Sequence, residues 1–197
     1  MNIYLVGYRC CGKSSLGKWL AERLGWMFVD TDAKIVMQTE REIAAIVEEN
    51  GWDYFRRLER ACLSSVAARS QQVVATGGGI VLDPRNVRIM KDSGLVVWLR
   101  TSPGIIRQRM QNDAQTDDLR PALTDKGALD EIESVLQART PLYQEAGNIE
   151  LNTDHDPVEY LAEQLLANLG SEIVPPGKAR RENYLDGTTD RYGPRKV

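Results

Sequence analysis

Residues 7 to 15 read GYRCCGKSS and follow directly on the apolar run Ile3, Tyr4, Leu5 and Val6. Gly7, Gly12, Lys13 and Ser14 satisfy G-x-x-x-x-G-K-[ST]. In that pattern the glycines let backbone N–H groups turn inward on phosphates, the lysine reaches the terminal phosphates, and the hydroxyl ligates magnesium. Beyond it, Leu16, Trp19, Leu20, Arg23 and Leu24 recur at helical spacing, with Gly25 placed to stop the helix. The motif thus falls between a strand and a helix, the arrangement that aims a helix N-terminus at an anion, which argues against an ordinary surface turn. A nucleoside triphosphate is the implied ligand. Cys10 and Cys11 read as small residues tolerated in the loop; a reactive thiol is the second reading, since a helix N-terminus and a nearby lysine lower a thiol pKa.

Further along, "DTD" ends an apolar run. Asp30 and Asp32 lie two positions apart and point to one side if the strand continues, so one carboxylate can orient hydrated magnesium and the other a substrate hydroxyl. Helix capping by Thr31 or Asp32 is the alternative. "FRRLE" sets Arg56 and Glu59 at i and i+3, where a carboxylate can hold a guanidinium in a chosen direction, although solvated helix pairs have the same spacing. "TGGG", Thr76 to Gly79, permits close backbone approach to a ligand, or makes a plain tight turn. "LRP" contributes Arg120 and "RTPLY" contributes Arg139, each an ordinary surface arginine if taken alone.

These residues need elements to hold them. Buried-strand patterns recur at Ile3–Val6, Trp26–Val29, Gln72–Ala75, Leu95–Leu99 and Ile149–Leu151, separated by helical-looking sequence, which predicts an α/β fold with a parallel sheet flanked by helices. Helices are expected over Trp52 to about Arg69, over Gly127–Thr140 with a stop at Pro141, and over Pro157–Leu169. The polar stretch QNDAQTDDLRPALTD, 111–125, is too long for a tight connection and reads as a lid. From Gly170 onward, proline, glycine and weak periodicity predict a tail without a core, so residues 1–169 form one domain.

Composition narrows the function classes. The chain has 197 residues, 42% hydrophobic and 27% charged, with a net charge of -3. That fits a single soluble domain and argues against a nucleic-acid binder, which needs a concentrated positive face. No apolar stretch reaches the ~20 residues that cross a bilayer, and the N-terminus opens on a strand-like run, so no membrane association, no secretory leader and a cytoplasmic location are expected. Three cysteines and one histidine supply neither a disulfide framework nor a zinc pattern.

Taken in order, GYRCCGKS, DTD, FRRLE, TGGG, LRP and RTPLY resemble the shikimate kinase family over residues 1 to about 169. The resemblance implies a P-loop kinase fold of five parallel strands sandwiched by helices, akin to nucleoside monophosphate kinases, with a lid closing over ATP. It also implies a monomer whose partners are ATP and shikimate, with Mg2+ as cofactor. Residue by residue, it implies that Lys13 and the loop from Cys10 and Cys11 through Gly12, Ser14 and Ser15 hold the phosphates. Ser14 and Asp30 serve the metal, and Asp32 holds the hydroxyl to be phosphorylated. Arg56 and Arg139 grip the substrate carboxylate, with Gly77, Gly78 and Gly79 against the ring hydroxyls. Arg120 neutralises the transferring phosphoryl group and Arg109 lies against adenine, which makes Lys13, Asp32 and Arg120 the catalytic set. The chain departs from the family pattern at Cys10, where a loop glycine is usual, and the tail from Gly170 has no counterpart.

Overall fold

The five apolar runs form one parallel sheet in a computed structural model that describes residues 1–112 and 129–169. The strands are β1 (Asn2–Val6), β2 (Met27–Asp30), β3 (Gln72–Ala75), β4 (Gly94–Arg100) and β5 (Ile149–Asn152), in the spatial order β2-β3-β1-β4-β5. In register, Leu5 lies beside Ala75 of β3 and Val97 of β4. Parallel pairing requires a crossover after each strand, and the described crossovers carry helices. These are α1 (Lys13–Leu24), α2 (Thr31–Thr39), α3 (Ile43–Ala67), α4 (Pro84–Ser93), α5 (Pro103–Asn112), α6 (Ile132–Ala146) and α7 (Val158–Leu169).

Alternation along the strands divides the core between two faces. Ile3 and Leu5 pack with Leu16, Leu20, Leu161 and Leu165 from α1 and α7, whereas Tyr4 and Val6 pack with Phe55, Leu63, Met90 and Tyr143 from α3, α4 and α6. Burial on both faces explains why the strands read as unbroken apolar runs. β1 is central, and the chain leaves it toward β2 on one side but leaves its neighbour β3 toward β4 on the other. The carboxyl end of β1 is therefore the switch point at which open α/β sheets collect ligands. The phosphate loop emerges there.

Two local expectations are corrected. β2 stops at Asp30, whose side chain caps α2 by accepting from the N–H groups of Asp32 and Ala33, so the two aspartates do not share a strand face. A carboxylate at this position satisfies N–H groups that a helix start leaves without partners. The helix expected from Trp52 does start there: Gly51, at φ 78° and ψ 166°, leaves helical geometry and divides α3 into a short segment from Ile43 and the expected helix, which runs to Ala67. The helix expected to stop at Pro141 instead starts at Ile132 and runs through that proline to Ala146. An interior proline costs about 3 kcal/mol. Downstream, Tyr143 and Ala146 are fully buried, and Tyr143 stacks on Trp98 with ring centroids 6.2 Å apart, contacts that offset the cost. Of the expected lid, Gln111 and Asn112 belong to α5; the remainder, with Arg120, lies outside the described residues, as does the tail from 170.

Candidate active site

The phosphate loop is shaped by backbone. Gly12 caps α1 with φ 96°, and Cys10 also takes the left-handed region, φ 59°, despite its side chain. Arg109 of α5 steadies that turn by donating from Nη1 to the Cys10 carbonyl at 3.2 Å and from Nη2 to the Thr153 carbonyl. Thr153 Oγ1 in turn donates to the Cys11 carbonyl at 3.1 Å. Lys13 is buried, its Nζ donating to the carbonyls of Gly7 at 2.9 Å and Tyr8 at 2.5 Å, with Cys11 Sγ 3.5 Å away. Cys11 is almost wholly buried, so small-residue packing is its evident role.

Ser14 Oγ donates to Asp30 Oδ2 at 3.0 Å, joining the start of α1 to the end of β2. A hydroxyl and a carboxylate are hard oxygen donors, the set Mg2+ prefers when substrate phosphates and water complete its shell. The residues present therefore fit that ion. A cleft lined by Cys10, Cys11, Gly12, Ser15, Leu16, Arg109, Thr153 and Asp156 continues from the loop between α1, α5 and α7. Its apolar residues, Leu16, Leu99, Val158 and Leu161, suit a nucleoside base.

A second pocket opens on the other side of the loop. Asp32 of α2, Arg56 and Glu59 of α3, Gly77, Gly78 and Gly79 after β3, and Arg139 of α6 line it together with Tyr8, Arg9, Ile43, Trp52 and Phe55. Arg56 Nη1 donates to Glu59 Oε2 at 2.6 Å, and its guanidinium lies 5.2 Å from the Trp52 ring centroid, so the fork is held on two sides. Glu59 is fully buried; burial raises its pKa, against the lowering pull of Arg56. Arg139 Nη1 donates to the Gly78 carbonyl at 3.2 Å, which also accepts from the Tyr143 hydroxyl. Burial raises the pKa of Tyr143 and keeps it a neutral donor.

Two of the three glycines lie close against charged side chains. A Cβ on Gly77 would meet Asp32 Oδ1 at 2.7 Å and Glu59 Oε1 at 2.8 Å, and one on Gly79 would meet the Arg56 guanidinium at 2.3 Å. Gly77 N–H also donates to Thr31 Oγ1 at 3.1 Å, tying the glycine loop to the start of α2. Cys62, beneath this wall, has its thiol pushed up to about 11 by burial and stays protonated.

Asp32, Arg56, Gly77–Gly79 and Arg139 thus share one pocket, while Cys10, Cys11, Gly12, Ser15 and Arg109 share the neighbouring cleft, with Lys13, Ser14 and Asp30 at the loop where the two regions meet. Sequence reasoning missed Arg9, Trp52 and Phe55 as pocket walls, and Thr153 and Tyr143 as residues that hold loops in place. Helical spacing of Trp52 and Phe55 marks an apolar face, and such spacing does not distinguish a pocket wall from a packed interior.

Comparison with known proteins finds relatives over most of the chain. A family model described as shikimate kinase matches residues 9–170. A shikimate kinase of Nitratidesulfovibrio vulgaris is 40% identical over 168 residues, covering 85% of this chain and 95% of that protein. Shikimate kinase 2 of Yersinia enterocolitica is 41% identical over 173 residues, covering 88% of this chain and 98% of its own. Among solved structures, shikimate kinase from Acinetobacter baumannii in complex with shikimate superposes with a TM-score of 0.79 at 34% identity, covering 85% of this chain and 92% of that one.

Proposed function

The chain belongs to the shikimate kinase family, and from that premise we propose that it transfers the γ-phosphoryl group of ATP to the 3-hydroxyl of shikimate, giving shikimate 3-phosphate and ADP. This is a step toward chorismate and the aromatic amino acids. The observation that supports the reading is the convergence of Asp32, Arg56 and Arg139 with a glycine loop in one pocket beside the phosphate loop. Such a pocket reads an acid at one end and a hydroxyl at the other. We assign the reaction to residues 1–169.

Phosphoryl transfer passes through a loose transition state, so alignment and charge stabilisation matter more than a strong base. Asp32 aims the acceptor hydroxyl and takes its proton late. Arg139 and Arg56 hold the acceptor's carboxylate through guanidinium forks, and their assignment is supported by how each is restrained. Glu59 pairs with Arg56, whereas the hydrogen-bond partner of Arg139 among the described residues is a neutral carbonyl. Arg139 therefore retains more of its charge for a ligand.

Lys13 and the loop N–H groups carry the terminal phosphates; reaching them requires the lysine to exchange its two carbonyl acceptors for phosphate oxygens. Ser14 and Asp30 would hold Mg2+, which when bound supplies positive charge to the phosphate oxygens. Arg109 borders the nucleoside cleft and serves adenine. Arg120 is assigned to the transferring phosphoryl group from its place in the LRP motif.

An ADP-release assay with shikimate, gluconate and several nucleoside monophosphates tests the reading. Turnover with shikimate alone is expected. Preference for gluconate or a nucleotide would replace the acceptor assignment, and ATP binding without turnover on any acceptor would replace the enzyme with a nucleotide-binding module.

A further inference from the structure

The scheme above leaves one pair of charges unused. Arg9 lies in the phosphate loop, and Glu131 immediately precedes α6. Arg9 Nη2 donates to Glu131 Oε1, and the two residues are only 6% and 0% exposed. Arg9 lines the acceptor pocket beside Asp32, Arg56 and Arg139. Its guanidinium lies 5.5 Å from the centroid of the Tyr8 ring, and its Nη1 is buried without a hydrogen bond among the described residues.

Stability does not account for such a pair. Exchanging a buried ion pair for apolar residues is commonly neutral or stabilising, whereas removing one partner alone is costly. Its place in the fold is more informative. Glu131 stands at the start of the helix that carries Arg139 and Tyr143, and both of those donate to the Gly78 carbonyl. α6 is thus tied at its N-terminus to the phosphate loop and farther along to the glycine loop. Those two loops bound the space in which donor and acceptor meet. At about 1.5 Å per residue, the eight residues from 131 to 139 span roughly 12 Å, so the helix acts as a spacer across the pocket.

We propose that Arg9 and Glu131 form a positioning pair for the acceptor: they fix the register of α6 against the phosphate loop and thereby set where Arg139 stands relative to the transferring phosphate. This rests on the kinase reading given above. Apolar contact is non-directional and could hold helix and loop together in several registers. A guanidinium and a carboxylate joined by charge-assisted hydrogen bonds have a preferred geometry. A shift of about 1 Å in α6 would misalign the acceptor hydroxyl, and displacements of that size cost on the order of a hundredfold in rate.

Steady-state kinetics on the full chain test the pair. Glu131→Gln is expected to raise the KM for shikimate and lower kcat, for a combined loss of roughly tenfold to a hundredfold in kcat/KM for shikimate, with the KM for ATP unchanged. The double variant Arg9→Met/Glu131→Leu separates position from folding. It is expected to melt at or above the wild-type temperature while keeping the same kinetic loss, and it decides the matter if Glu131→Gln fails to fold. Wild-type shikimate kinetics in either folded variant would overturn the proposal, as would a rise in the KM for ATP equal to that for shikimate. The kinase reading is judged separately by wild-type turnover, because the pair is read only from variant-to-wild-type ratios.

Discussion

The phosphate loop and the acceptor pocket adjoin each other yet are built on different principles. The loop is nine consecutive residues whose function rests on backbone geometry and one lysine, and its inner contacts are to main-chain carbonyls. The pocket gathers side chains from α2, α3 and α6 around the glycine loop after β3, and a charge pair fixes the direction of Arg56. A contiguous loop solves a local problem, the inward display of N–H groups. A dispersed pocket solves a problem of selection, because an acid and a particular hydroxyl are recognised only if groups distant in sequence converge.

Substitutions should separate the two regions. Lys13→Ala removes the loop's lysine and should cost roughly 10^3-fold in kcat together with weaker ATP binding; retained activity would exclude the loop assignment. Asp32→Asn should lower kcat about 10^2-fold and leave ATP affinity intact, as read by nucleotide titration. Near-normal turnover would remove Asp32 from the chemistry. Arg139→Ala should raise the KM for shikimate roughly ten- to a hundredfold with a smaller effect on kcat, and an unchanged KM would count against its grip on the carboxylate.

Two smaller effects fall on stability. Burial raises the pKa of Glu59 in the folded chain, so the folded state holds that proton more tightly than the unfolded state. The stabilisation is present below the unfolded carboxylate pKa and is lost as pH rises through the raised folded value. Glu59→Gln should flatten the melting temperature against pH across that window, and parallel curves for the two proteins would contradict this. Cys10→Gly should relieve a left-handed backbone at a residue with a side chain and raise the unfolding free energy by about 1 kcal/mol, measured by urea melts. Lost stability would mean that the Arg109 contacts already offset the strain.

The same contrast governed what could be read in advance. The five strands and the phosphate loop were legible because burial on both faces gives unbroken apolar runs and because the loop's chemistry is written in neighbouring residues. Six short motifs in order also carried a resemblance that the fold and the relatives bear out. Asp30 shows the limit: its carboxylate type was legible, but whether it extended a strand or capped a helix depended on where β2 ended. Pro141 shows another, since local propensity ended a helix that Tyr143, stacked on Trp98 and bonded to Gly78, carried onward.

By itself, then, the sequence determined a parallel α/β sheet with a phosphate-binding loop behind its first strand, because periodicity and turn chemistry act between near neighbours. Only the tertiary structure decided that Arg9 meets Glu131 across 122 residues of chain, that Arg139 faces the glycine loop, and that Trp52 and Phe55 wall a pocket. Those outcomes depend on how helices seat against the sheet, and packing of that kind leaves no spacing in the sequence from which to read it.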